Sequence, residues 1–595
     1  MSFILRCPLN QNPKKILINE NSDLKNCSSD TICGIINDKY TKGIKYLENR
    51  DCILYILGDL IIPKNNKKSS SQYLNSVFEN FEIKTIQNLK GTFYLIKLNK
   101  QNMKIEIYNS LFSLLPIYYY KNKDFVFISS RIEHILDSCS DTFFLNKKYI
   151  LEKALFGYAL FNSTYFKNIR TVPCNSYLSL DGTVKLVKHT EILDYYCENP
   201  VKWPKSVDRL SDLFIAQAKD YLPDDKFYSS MTGGLDGRTL VALALGMGKD
   251  FCVYSYGNPR EKDVFIPQYI CKKIGLKYYP IYLHDDFAKI HFLKNAFEGE
   301  ILTEGNLRFS RAQYNFFSKK FSSKPKYIIT GLFGSELLRT MRMPGNLISQ
   351  VLFDIFSIEK DRELVKKIRH SNRLKFIRLD QFQNELDELL DDIFSYRNAF
   401  PSGLSVNKKF YYYLFEEVFR KYFGPEIILE YNYLVNRMPF LDFGFFKELL
   451  KTELAGCNAD FQVSNPIDRF KGQVLYPLII KKTYPKLLKY KLDRSYKPND
   501  FLVPWGKFNI TKAYFYRKLF DRKRYKPPSY ATLCFETNIS KLMEIQYNKS
   551  VFNDKYINYL FTNDNWKTDF IHFNIFISSA KYISEINRNN CYAYL

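Results

Sequence analysis

What this sequence lacks narrows the reading first. No apolar run reaches about 18 residues, the length a membrane-crossing helix needs. Met1 to Asn10 has neither the charged start nor the long apolar core of a signal peptide. The expected setting is the cytoplasm, with no membrane partner. Histidine and tryptophan are scarce, and the 12 cysteines include no Cys-x-x-Cys pair and no histidine at ligand spacing. That argues against structural zinc and against a disulfide framework, so the cysteines read as reduced thiols.

Negative charge is also short: 62 Asp and Glu face 87 Lys and Arg, a net charge of +25. Such a balance can mark a nucleic-acid or anionic-membrane partner. Here the lysines are spread along the whole chain in an Asn-, Ile-, Tyr- and Lys-heavy composition. The densest clusters, Lys64 to Lys68 and Arg517 to Lys526, read as solvated loops or helix faces. Nucleic acid is therefore not the expected partner. At 595 residues and 46% apolar, the chain can bury large cores and should divide into two or more domains.

The most informative stretch is Tyr228 to Leu245, YSSMTGGLDGRTLVALAL. An apolar run (Phe227, Tyr228, Met231) enters a Thr232-Gly233-Gly234 turn, and helix-spaced residues (Leu240, Val241, Leu243, Ala244) leave it, giving strand, glycine loop and helix in order. Glycines let backbone N–H groups approach an oxyanion, and the helix that follows offers its positive end. The Thr232 hydroxyl can join them. Asp236 would face phosphate only across a cation, which points to Mg²⁺; the alternative is an ordinary turn with Asp236 as helix N-cap.

Thr232-Gly233-Gly234-Leu235-Asp236-Gly237 resembles the Ser-Gly-Gly-x-Asp-Ser pyrophosphate loop of the adenylating PP-loop enzymes, specifically the asparagine synthetase superfamily. Thr232 replaces the first serine and Gly237 the last, and Arg238 is expected to supply the lost phosphate contact. Tyr254-Ser255-Tyr256-Gly257 with Asp263 is similar to the family's adenine-facing strand end. Thr330-Gly331-Leu332-Phe333-Gly334-Ser335-Glu336 is similar to Ser-Gly-x-Gly-x-Asp-Glu, with Ser335 where the family has a metal-binding aspartate. Asn436-Arg437-Met438-Pro439-Phe440-Leu441-Asp442 resembles Glu-x-Arg-x-Pro-Phe-Leu-Asp, where Arg437 is expected to brace the site. Asp493 to Phe501 resembles the region from which the family supplies a lysine, here Lys497.

Upstream, Leu89 to Phe93, Leu114 to Tyr119 and Phe127 to Ser130 resemble the glutaminase domain that precedes the synthetase domain in this superfamily. The expected fold is thus α/β: an N-terminal Ntn-type, β-rich α+β domain over residues 1–200, then a doubly wound parallel-sheet PP-loop ATP pyrophosphatase domain over 205–505. A helical C-terminal part follows, with 506–595 an extension of no assigned role. Met1-Ser2-Phe3-Ile4 stands where the family has a nucleophilic cysteine and Gly-Ile; Tyr108-Asn109 replaces Arg-Asp, and no Asn precedes Gly58-Asp59. Glutaminase activity is therefore expected to be absent, as in the family's β-lactam synthetases and lasso-peptide cyclases, and Cys7 reads as a buried thiol.

The resemblance implies ATP and Mg²⁺ as cofactors, with ATP contacts from Met231, Thr232, Gly233, Gly234, Leu235, Asp236, Gly237, Arg238, Tyr256, Gly257, Thr330, Gly331, Gly334 and Ser335. Asp236 and Glu336 would hold the metal and, with Lys497, serve catalysis. The implied reaction activates a carboxylate (small molecule, peptide or sugar acid) as its acyl-adenylate and passes it to ammonia or an amine. A nucleotide-binding pseudo-enzyme and a tRNA-modifying PP-loop enzyme are the rivals. Homo-oligomerisation is left open.

Overall fold

The computed structural model describes residues 2–9, 13–18, 24, 28–37, 45–65, 68–79, 81–322, 325–339, 349–459, 468–520, 530–588 and 592–593. Met1 and much of the basic run at 517–526 lie outside the described residues.

Between Ser2 and Lys188 the chain builds two six-stranded sheets. The first runs Arg170–Thr171, Tyr118–Lys121, Phe125–Ser129, Ser2–Pro8, Thr31–Asn37, Lys15–Ile18, antiparallel except for its last pair. The second runs Thr183–Lys188, Ser176–Asp181, Ile105–Asn109, Lys90–Asn99, Cys52–Ile61, Lys45–Glu48, antiparallel throughout. The two-residue period explains why its strands look continuously apolar. Tyr94, Ile96 and Leu98 face the core shared with the first sheet, whereas Phe93 and Leu95 face a second cluster with Leu74, Val77 and Phe78 of helix Ser70–Glu79. Phe3 meets Tyr94 edge-on across the sheets, with ring centroids 5.1 Å apart.

The third sheet is parallel, in the order Tyr278–Tyr282, Phe251–Gly257, Phe227–Ser230, Tyr327–Ile329, Val435–Arg437. The chain adds strands outward on one side of Phe227–Ser230, then crosses to the other. The loops leaving Ser230 and Ile329 therefore diverge at the carboxyl ends of neighbouring strands, the place where open α/β sheets form a crevice. Val435–Arg437 is a strand the sequence reading did not assign. Three residues cannot display a period of two, and only the register with Tyr327 to Ile329 reveals them.

Two helix boundaries also move. The helix expected over Lys148 to Phe161 spans Lys147–Phe156 and stops at Gly157, whose φ of 87° is the left-handed cap that ends a helix. The helix expected from Ser206 starts at Trp203, because Pro204 suits a first turn; Ser206 then sits inside and donates back to the Lys202 carbonyl at 3.3 Å. Nine of the described cysteines are free thiols, but Cys33 is disulfide-bonded. This corrects the expectation that every cysteine is reduced.

Buried ion pairs join the antiparallel sheets to the parallel one. Arg437 grips Asp59 with two hydrogen bonds, Nε to Oδ2 at 2.7 Å and Nη2 to Oδ1 at 2.9 Å. Lys90 reaches Asp220 at 2.8 Å and Asp442 at 3.1 Å. Asn175 donates to Glu416 at 2.9 Å. The C-terminal helices pack into the core: Trp566 is fully buried, and Tyr582 of helix Phe570–Arg588 packs on Tyr165. No helix among the described residues is long and apolar enough to cross a membrane.

Candidate functional site

Strand Phe227–Ser230 brings the chain to the middle of the parallel sheet, and the Met231 N–H donates to the Tyr254 carbonyl at 3.0 Å. The backbone then turns through Thr232 to Gly234, and helix Asp236–Gly246 begins with Leu235 in the N-cap position and no side-chain cap. Asp236 is therefore not the N-cap; it is the first helical residue, and its side chain is available for other work. Gly237 is required here. A Cβ at that position would lie 2.4 Å from the Ser230 carbonyl oxygen, so a serine could not be accommodated without moving the strand end.

The second turn leaves strand Tyr327–Ile329 and presses on the first. A Cβ on Gly331 would fall 2.7 Å from both the Asp236 carbonyl carbon and the Gly237 nitrogen. The chain passes through Phe333 at a φ of 70° into helix Gly334–Leu338. There Ser335 Oγ donates to Asp236 Oδ2 at 2.7 Å. The other oxygen, Asp236 Oδ1, is buried, and both it and the Tyr476 hydroxyl lie 2.9 Å from where a Gly334 Cβ would stand. The Tyr476 hydroxyl interacts with Asp236 through a hydrogen bond of poor geometry. Burial, then the charge of Asp236, hold the Tyr476 hydroxyl well above the ordinary tyrosine range.

Glu336 completes the cluster at 9% exposure. Burial, then Asp236, push its carboxyl up to about 7, against a smaller pull from Arg339. Two neighbouring carboxylates, Glu336 being raised by burial and by the charge of Asp236, form an oxygen donor set a divalent cation would satisfy. No group of three or more His, Cys, Asp or Glu with metal-holding geometry occurs among the described residues. An oxygen-seeking ion would complete its shell here with water or phosphate oxygens, as Mg²⁺ usually does.

Other expected contacts are placed differently. Arg238 does not face the loop: it is fully buried, with Nη1 donating to the Tyr490 carbonyl at 2.7 Å and Nη2 to the Lys491 carbonyl at 3.1 Å. Burial pulls its pKa down to about 10, opposed by Asp493. Facing inward from the first helical turn, it ties that turn to the segment leading to Lys497. The Gly233 N–H is not open to an anion either; it donates to Asp263 Oδ1 at 3.0 Å, while the Gly234 N–H reaches Thr232 Oγ1 at 3.3 Å. Burial raises the Asp263 carboxyl, partly offset by that amide.

Thr330 Oγ1 is turned toward Asn436, to whose Oδ1 it donates at 2.8 Å. The Tyr256 hydroxyl donates to Tyr314 at 3.0 Å, and its ring stacks on Phe317. Gly257, with a φ of 144°, ends the strand beside Glu261. Lys497 lies on a segment that touches the loop, since the Asp493 N–H donates to the Gly233 carbonyl at 3.0 Å. Its own side chain is exposed, and no hydrogen bond or ion pair among the described residues joins it to Asp236 or Glu336.

The structure thus brings Met231 to Gly237 together with Gly331, Gly334, Ser335 and Glu336. It turns Arg238 and the Thr330 hydroxyl away. Sequence reasoning missed Tyr476, which arrives on helix Leu475–Thr483 with no motif around it. A signal was available only for the pairing of helices: a Cβ on Gly246 would lie 2.5 Å from the Thr483 carbonyl oxygen.

No protein-family model matches the chain, and no curated protein matches it. Among solved structures, the glutamine phosphoribosylpyrophosphate amidotransferase of B. subtilis, complexed with ADP and GMP, overlaps 38% of this chain and 52% of its own, at 10% identity and a TM-score of 0.17. The chain spans about half the length of that protein, and an overlap this slight carries no argument. Any functional reading stands on the chain's own residues.

Proposed function

We propose that this chain is an ATP-dependent, amide-forming ligase of asparagine synthetase type, with an inactive Ntn-type glutaminase-like domain over residues 1–200 and a doubly wound PP-loop domain over 205–505. It would activate a carboxylate as its acyl-adenylate, releasing pyrophosphate, and pass the acyl group to ammonia or a substrate amine. The observation that carries this reading is the meeting of two glycine turns at the sheet's crossover point, with Ser335 holding one oxygen of Asp236, the Tyr476 hydroxyl beside the other, and Glu336 raised by burial and the Asp236 charge. Asp236 and Glu336 would hold Mg²⁺. When bound, the ion offsets charge on the phosphate oxygens. The chain's own part is to orient: Ser335 fixes the Asp236 carboxylate, Gly237 and Gly331 let the two turns close, and buried Arg238 anchors the segment that carries Lys497.

Supplied with ATP, Mg²⁺, ammonia and a panel of amino, peptide and sugar acids, the protein should yield AMP and pyrophosphate with at least one acid. Asp236→Asn should nearly abolish that yield, since losing a principal metal contact at a transition state costs several kcal/mol. ADP as the product would sink the reading in favour of another reaction class.

One observation favours a second reading, a pseudo-enzyme that binds nucleotide without turnover: the Asp263 carboxylate already occupies the Gly233 N–H. That reading is upheld if calorimetry detects ATP binding while no acid in the panel yields AMP.

A further inference from the structure

Helix Gly506–Phe520, in the region without motifs, is built the wrong way round for a helix of a soluble protein. Its inward side is narrow and carries little apolar surface. Ile510 and Ala513 pack on the core, and Asn509 Nδ2 donates to Asp500 at 2.9 Å. Phe508, Lys512, Phe515 and Leu519 follow one another at helical spacing and share a face with Trp505 just before the helix. That face is turned to solvent: Trp505 is 69% exposed, Phe508 71%, Phe515 54% and Leu519 64%. Isolated exposed apolar residues need no explanation, but a continuous stripe headed by tryptophan marks a contact surface.

Charge identifies what the stripe meets. Lys507 and Lys512 are exposed, with Lys512 inside the apolar stripe itself. In sequence the helix runs into Arg517 to Lys526, RKLFDRKRYK, with six basic residues and one acidic. A stripe of Trp, Phe and Leu interleaved with lysine and continued by a polybasic run is the composition of a helix lying in a lipid interface. There the rings enter the acyl boundary while lysine stems extend their ammonium groups to phosphate. A second copy of the chain fits poorly, because a two-fold contact through this face would set lysine against lysine.

We infer that helix Gly506–Phe520 lies flat on an anionic lipid surface, docking the protein through Trp505, Phe508, Phe515 and Leu519. This departs from the sequence expectation of no membrane partner. That expectation rested on the length needed to span a bilayer, which a surface helix does not require. The chain has three tryptophans, and the other two are sheltered: Trp566 is 1% exposed and Trp203 half-buried. Trp505 is therefore a built-in reporter.

The test is flotation of the full-length protein with vesicles of phosphatidylcholine alone and of a phosphatidylserine–phosphatidylcholine mixture, with tryptophan emission read alongside. Binding should be confined to the phosphatidylserine vesicles, shift the emission to the blue, and weaken as salt rises. Phe508→Asp with Phe515→Asp should reduce it by about tenfold or more. Because both side chains are exposed, the variant should keep the wild-type circular dichroism and unfolding midpoint; Phe508→Ser gives a milder check. The inference is overturned if the wild type ignores phosphatidylserine vesicles, or if a folded double variant floats as well as wild type. Light scattering that shows a dimer dissolved by Phe508→Asp would overturn it in favour of a second copy. Salt-independent capture of an acidic soluble protein by this face, without vesicle binding, would overturn it in favour of a protein partner.

Discussion

The seam between the antiparallel and parallel sheets and the crevice at Asp236 are both buried and charged, yet they treat polar groups in opposite ways. At the seam Asp59 gives both oxygens to Arg437, and Lys90 is shared among Asp220, Asp442 and Gln217. In the crevice Asp236 Oδ1 faces the Tyr476 hydroxyl, and Glu336 is pushed out of the usual carboxylate range. Folding rewards satisfied buried polar groups. A carboxyl raised by burial and a neighbouring carboxylate at the crossover end of a parallel sheet marks a candidate binding place.

That contrast can be broken most forcefully at Asp59. Asp59→Ala strands the Arg437 guanidinium without its carboxylate and should lower stability by about 3 to 5 kcal/mol in chemical denaturation. Asp236→Asn removes charge from an under-satisfied site and should leave stability nearly unchanged. If the two variants unfold alike, the distinction between seam and crevice fails.

The seam also carries a pH signature. His189 is buried, its Nδ1 paired with Thr190 Oγ1 at 2.9 Å and its Nε2 without a partner, and burial, then Lys188, lower its pKa to about 4. The unfolded chain takes up this proton near 6.5 and the folded chain only near 4. The unfolded state therefore holds more protons in between, and stability falls as pH drops through that window. The loss approaches about 3 kcal/mol at its lower end. His189→Gln should flatten this part of the profile in urea titrations at stepped pH.

Arg238 sharpens the comparison, because it follows the crevice residues in sequence but is turned into the core, where it holds backbone carbonyls. Arg238→Ala should cost about 1.5 to 3 kcal/mol of stability, the worth of hydrogen bonds to a charged group. ATP affinity measured on the folded fraction should be unaffected. A selective loss of ATP affinity with stability intact would return Arg238 to the phosphates.

Ser335→Ala removes one hydrogen bond from Asp236 and should change stability by about 1 kcal/mol, while lowering the yield of AMP. The smallest expected effect is none at all. Glutamine should yield no glutamate, with or without ATP, since Asp59 is committed to Arg437 and Asn109 donates to the Leu115 carbonyl. Glutamate release that disappears in Ser2→Ala would overturn this expectation.

Much of the scaffold was legible because local chemistry writes it. Short apolar, β-rich runs marked the strands at Cys52–Ile61 and Lys90–Asn99, Gly182 marked its hairpin, and the Gly233-Gly234 turn between strand and helix stood out against its surroundings. The candidate site was legible in part. Asp236 was marked by its place after the glycine turn, and Ser335 and Glu336 by the family resemblance, but where Arg238 points was not legible, because a helix's first turn can face a ligand or the core and only its neighbours decide.

The sequence by itself determined that this is a mixed α/β chain with a glycine-turned strand–helix unit and carboxylates near it, because backbone propensity and periodicity act over a few residues. Tertiary structure alone decided three things: that Tyr476 comes to Asp236, that Asp263 takes the Gly233 amide, and that the aromatic face of helix Gly506–Phe520 is turned outward. Each depends on the meeting of segments distant in sequence, or on which face of a helix the rest of the chain covers. No local pattern encodes either.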